Sequence, residues 1–203
     1  DTEGWVFDGF IRTSGLIEAS YFNAYVAENR QYDGYDASLK TAYNFGFLDT
    51  RPDWVEHFRY QNGLLISYWD ASVNDNNVGD HPGSGLVLPI DAHPALKHWS
   101  DGTLLRPRLL SADSTFGLAP TDRMVVHQNG VAAVIPSKPA VPRFDDTRTW
   151  WTNADAHGAT GSHPGRYQPG WSGVDPPKTG TVITVVAAAH GSNTLTVTVA
   201  PKR

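Results

Sequence analysis

The residues of this chain best placed to do chemistry lie between Asp70 and Asp80, where three Asp and three Asn fall within eleven residues. Calcium takes roughly six to eight hard oxygen ligands from carboxylates, amide carbonyls and the backbone, and a turning acidic loop can supply them. Asp70, Asn74, Asp75, Asn77 and Asp80 are therefore the candidate ligands of a calcium ion. The spacing is not that of an EF-hand, because no Glu closes a twelve-residue loop of the usual kind. The competing reading is a polar connection in which Asx side chains cap their own turns.

The other reactive side chains do not converge in the sequence. The eight histidines are scattered from His57 to His190, and no pair has helical metal-binding spacing. They read as surface or hydrogen-bonded residues, since a metal site needs several ligands at fixed geometry. No His-Glu-x-x-His string is present, and Glu56-His57 has the order reversed. Gly-x-Ser-x-Gly, a Walker-type phosphate loop and cysteine are all absent. No catalytic residue is nominated. Serine triads are recognised by geometry rather than by sequence position, so whether the chain is an enzyme stays open at this level. Among the aromatics, Trp150, Trp151 and Trp171 flank or lie within a long Gly/Pro/His-rich stretch. Adjacent strand residues face opposite ways, so one ring of Trp150-Trp151 is expected at the surface, where it could bind a partner or a sugar. The bland alternative is that large rings fill a β-core.

Composition bounds what these groups are mounted on. The chain has 203 residues, a hydrophobic fraction of 40% and 23 aromatic side chains (7 Trp, 8 Tyr, 8 Phe), so it has the means to build a core. Nineteen Gly and 14 Pro favour short strands joined by turns. The net charge of −5 and the lack of any basic run argue against a nucleic-acid partner. No apolar stretch reaches the length of a membrane helix. The chain starts at Asp1 without a signal-like segment, which reads as a piece processed or cut from something longer.

The elements follow from periodicity. Trp5–Arg12 reads as an edge strand and Glu18–Arg30 as a strand, with Tyr21 and Tyr25 on one face and Phe22, Ala24 and Val26 on the other. Residues 31–44 read as a Tyr/Asp/Gly loop, which Arg30 would pin through a carboxylate. Gly63–Trp69 is the clearest central strand, and Leu86–Ile90 a short one that Pro89 pushes to an edge. Leu104–Leu110 is a further strand. Met124–Gln128 and Val131–Ile135 flank Asn129-Gly130, a type I′ hairpin signal. Thr152–Thr179 has no periodicity and reads as a functional loop or insertion. Thr181–Ala188 and Thr194–Ala200 form a terminal hairpin, whose second strand alternates Thr with Leu195, Val197 and Val199, one wet face and one buried. The expected fold is mainly β: an antiparallel β-sandwich or jelly-roll-like domain with long loops, spanning 1–203, its core at 18–146, the loop at 152–179 and the hairpin at 180–200.

Several strings carry a resemblance. They include Tyr25-Val26-Ala27-Glu28-Asn29-Arg30-Gln31, Tyr43-Asn44-Phe45-Gly46-Phe47-Leu48-Asp49 and Gln61-Asn62-Gly63-Leu64-Leu65-Ile66-Ser67-Tyr68-Trp69-Asp70. Leu88-Pro89-Ile90-Asp91-Ala92-His93-Pro94 and Asp113-Ser114-Thr115-Phe116-Gly117-Leu118 continue it. Across roughly residues 18 to 146 the chain resembles the C-terminal, VEG-type part of immune inhibitor A family metallopeptidases. The resemblance implies a secreted, extracellular precursor whose His-Glu-x-x-His domain lies upstream and holds Zn2+ that this chain does not. It implies a non-catalytic accessory role here, stabilising the peptidase or helping present protein substrates. The partners would be the catalytic domain and the other modules of the same precursor. It also supports calcium in the 70–80 loop. A carbohydrate- or cell-surface-binding module, with protein or glycan ligands, is the alternative.

Overall fold

The computed structural model describes residues 21–40, 60–78, 83–95, 97–99, 101–102, 111–128, 131–150, 174–188 and 194–202. The described strands are β1 (Asn23–Arg30), β2 (Gly63–Asp70), β3 (Val87–Pro89), β4 (Met124–Gln128), β5 (Val131–Ile135), β6 (Arg143–Asp145), β7 (Thr181–Ala188) and β8 (Leu195–Pro201). They pair antiparallel into three sheets with orders β1-β2-β3, β4-β5 and β6-β7-β8. The fold is mainly β, as the turn-rich composition and short apolar runs require.

β2 is central because its apolar run has cover on both faces, with Leu64, Leu65 and Ile66 all buried. It starts at Gly63, whose φ of 141° belongs to the region that favours glycine. A Cβ there would meet the Phe116 carbonyl oxygen at 2.7 Å. That close approach lets Leu64 and Phe116 exchange two backbone hydrogen bonds of 2.8 Å, binding the 112–116 segment to the strand. β3 lies on the opposite side of the sheet from β1, and Pro89 sits there at an edge where its missing N–H costs no ladder bond.

Two of the sheets feed one apolar cluster. Tyr25, Leu64, Ile66 and Tyr68 enter it from β1 and β2, and Phe144, Ile183 and Val185 from β6 and β7. Two sheets thus contribute side chains to a single core. Phe116, Phe144 and Trp150 meet edge-on or tilted, with centroids 5.1–5.8 Å apart, the separations that ring quadrupoles favour. The β4-β5 hairpin has its own small cluster of Val126, Ala133 and Ile135. Its register sets Gln128 opposite Val131, as the Asn-Gly signal requires; the turn itself lies outside the described residues.

Three sequence expectations change. Residues 34–40 form a 3-10 helix rather than a plain loop, entered by Gly34 at positive φ with its N–H donating to the Asp33 carboxylate. Among the described residues Arg30 pairs with Glu28 two residues earlier and lies 5.5 Å from the Tyr60 ring centroid. β8 has no buried face, because it is the outermost strand of its sheet and alternation sorts side chains without guaranteeing a cover. The expected strands at Trp5–Arg12 and Leu104–Leu110 lie outside the described residues.

Candidate functional site

The described part of the acidic loop, residues 70–78, is built from turns. Asp70 ends β2, and its Oδ1 accepts hydrogen bonds from the Ser72 N–H at 2.9 Å and the Ser72 hydroxyl at 2.5 Å. The Asp75 Oδ1 accepts the Asn77 N–H at 2.7 Å. Asn76 reaches across and takes the Val87 N–H at 2.8 Å, while Leu86 donates to the Asp75 carbonyl. These are Asx turns that strap the loop to β3. Asn74 is exposed in this loop, and Asp80 lies outside the described residues. Trp150 is 4% exposed in the aromatic core; its indole N–H donates to the Asp145 carbonyl at 2.8 Å, and the Arg148 guanidinium lies 5.3 Å from its ring centroid. Trp151 and Trp171 lie outside the described residues.

The structure brings together a different set. After β3 the chain is held by an Ile90 N–H bond to the Ile66 carbonyl and an Ala92 N–H bond to the Ser114 carbonyl. Between them Asp91 is forced inward, and its Oδ1 accepts the His93 N–H at 2.7 Å. On the facing segment a short 3-10 turn, Ser111–Asp113, delivers Asp113 to the same place. Asp91 and Asp113 are each 1% exposed. Lys97 is also buried, with its Nζ 2.8 Å from Asp113 Oδ1. The approach lies off the hydrogen-bonding direction, since neither Asp113 oxygen has a hydrogen-bond partner, so charge rather than orientation carries this pair. The His93 ring completes the cluster. Its Nδ1 lies 2.6 Å from the Asp113 carbonyl oxygen and its Nε2 2.8 Å from that of Pro139.

Electrostatically the cluster has more negative charge than it can easily hold. Burial pushes the Asp91 carboxyl up to about 6; Lys97 opposes this and the Asp113 charge reinforces it. One donor atom each from Asp91, His93 and Asp113 lie within 4.8 Å of one another, a separation that a single cation can bridge after small side-chain rotations. Nothing in the spacing of Asp91, His93 and Asp113 marked them as a set. The available signal was Asp91 and His93 alternating with Ile90 and Ala92 right after a strand, which places polar side chains among core residues.

A second acidic pair is closed. Asp146 is fully buried, and its oxygens accept from the Thr179 N–H and hydroxyl, the Gly180 N–H and the Tyr25 hydroxyl at 2.6–3.2 Å. Such a carboxylate is a staple between β1, β6 and the start of β7. Asp145 beside it accepts from the Thr147 N–H and hydroxyl, with Arg143 and Lys202 at 3.3 and 3.4 Å.

Comparison with known proteins gives the context for these groups. The family model described as "Immune inhibitor A-like metallopeptidase, VEG domain" matches residues 18–194. The pre-pro-metalloprotease PrtV of Vibrio cholerae serotype O1 is 32% identical over 118 residues, covering 58% of this chain and 12% of that protein. Immune inhibitor A of Bacillus thuringiensis subsp. alesti is 30% identical over 149 residues, covering 70% of this chain and 19% of that protein. The chain thus spans less than a fifth of the length of these relatives.

Proposed function

The chain belongs to the immune inhibitor A-like metallopeptidase family, within its VEG domain, and from that premise we propose that it is a non-catalytic accessory module of a secreted zinc metalloendopeptidase. In this reading it docks on the peptidase body of its own precursor, stabilising that body or helping present protein substrates. The relatives are several times longer than the matched region, so most of such a precursor lies outside this chain. The Vibrio relative is by name a pre-pro form, which supports an exported, extracellular setting. Among the described residues no helix is long and apolar enough to cross a membrane.

The observation that supports docking is β8. Cross-strand partners share a face, and Val197 and Val199 pair with the core residues Val185 and Ile183. They therefore lie on the core side of the sheet, yet they are 38% and 53% exposed. The seven residues of β8 carry no charge, whereas exposed edges are commonly blunted by charged side chains. Covering the exposed part of these valines would contribute about 1 kcal/mol each. The carbohydrate-binding alternative has less behind it, because Trp150 lies in the core.

The test is calorimetry of the full precursor. With docking, this module and the peptidase body melt in one coupled transition. Val199→Lys, at a site too exposed to unfold the module, splits that transition in two. Independent melting of the two parts in the unmodified precursor would reject docking.

A further inference from the structure

We propose that Asp91, His93 and Asp113 are the protein ligands of one structural divalent transition-metal ion of the zinc class. Two buried carboxylates, the Asp113 carbonyl and the Pro139 carbonyl converge on Lys97, the His93 ring and the His93 N–H, and the last of these is taken by Asp91 Oδ1. Lys97 balances one carboxylate and leaves one negative charge, and a buried charge without a counter-charge is strongly disfavoured. Asp113 Oδ2 is sealed from solvent and has no hydrogen-bond partner, which native structures rarely tolerate without an ion or water beside it.

The imidazole points the same way. A neutral ring has one N–H, yet both His93 nitrogens face carbonyl oxygens at 2.6 and 2.8 Å. A metal would displace one of these carbonyls from its nitrogen while the other N–H keeps donating to a backbone carbonyl, which is how ligating histidines are usually held. Lys97 remains beside Asp113 Oδ1 as its counter-charge, which leaves Oδ2 for the ion. One imidazole nitrogen with two carboxylate oxygens suits zinc or manganese better than calcium, which prefers an all-oxygen shell. Tetrahedral ligand atoms around zinc stand roughly 3.4 Å apart, so the present 4.8 Å closes by small side-chain rotations. Both carboxylates are sealed from solvent, so the ion ties Asp91, His93 and the 3-10 turn together.

The experiment uses the whole chain. After exhaustive chelation, the protein is titrated with ZnCl2, MnCl2 and CaCl2 while its melting temperature is followed. At a hundredfold excess over Kd, zinc or manganese raises the melting temperature by roughly 5–10 °C, and calcium does so far less. His93→Gln and Asp113→Asn abolish the rise. Should either variant fail to fold, cobalt(II) added to the unmodified chain supplies the second readout, an intense visible absorption diagnostic of mixed N/O tetrahedral coordination that zinc then displaces. No rise with any of the ions, a rise retained in both variants, or a response to calcium alone would overturn the assignment. The first of these would mean that the cluster is balanced without metal.

Discussion

Asp91 and Asp145 give the protein opposite responses to acid. Asp91 has a folded-state value near 6 against an ordinary 3.8, so the folded chain holds its proton more tightly than the unfolded chain does. Its effect on stability is therefore most favourable below pH 4 and is lost as pH rises from about 4 to about 6, a change of about 3 kcal/mol. In chelator, Asp91→Asn is expected to remove that slope, which urea unfolding at a series of pH values would show. A slope of equal size in the variant would rule out Asp91 as its source. Asp145 is held below the usual carboxylate range, chiefly by the Thr147 hydroxyl and also by the Thr147 N–H and Lys202. Its contribution is present above about pH 4 and is lost as pH falls further. Asp146 offers a sharper contrast at the same scale. Asp146→Ala removes the shared acceptor of four hydrogen bonds and should destabilise by about 3 kcal/mol, whereas Tyr25→Phe removes one of those bonds and should cost about 1 kcal/mol. Equal losses in chemical denaturation would mean that the staple is the tyrosine bond alone.

The elements show what periodicity can and cannot convey. β2 was legible because Leu64-Leu65-Ile66 is a short apolar run with polar flanks, and β4-β5 because Asn-Gly fixes a register by turn geometry alone. β8 was legible as a strand, while its exposure was not, because whether a face is covered depends on a partner elsewhere. The Asp91–Asp113 cluster was hidden for the same reason: two segments about twenty residues apart are brought together by backbone bonds to β2 and to each other. The 70–80 loop looked like an ion site and has the hydrogen bonds of Asx turns. Turn chemistry alone predicts no change in melting with millimolar calcium when the zinc-class cluster is disabled, and a rise there would assign calcium to that loop. Gly63 belongs to this scale as well. Gly63→Ala puts a methyl 2.7 Å from the Phe116 oxygen at a φ that alanine avoids, and should destabilise by about 2 kcal/mol or more in urea unfolding.

For the whole molecule the question is which part opens first. β1, β2, β6 and β7 share one core, and the Tyr25 ring links them by packing 5.0 Å from Phe144 while its hydroxyl donates to Asp146. These parts should therefore open together. The β4-β5 hairpin stands apart: it has two strands, a three-residue buried cluster flanked by Trp99 and Met124, and an exposed cross-strand pair, Val125 and Val134. A two-stranded sheet with so small an apolar face has little to oppose opening. Native-state hydrogen exchange should accordingly show the amides of 124–128 and 131–135 exchanging through a low-energy opening. Those of Leu64 to Tyr68 should exchange only with global unfolding. Trp150→Ala would then lower protection in β2 and β7 by about 3–5 kcal/mol and leave the hairpin's local opening nearly unchanged, because its ring packs against Phe116 and Phe144 of the shared core. If the hairpin amides instead lost protection in step with β2, the molecule would be a single cooperative unit and the two clusters would be one in energy, though separate in space.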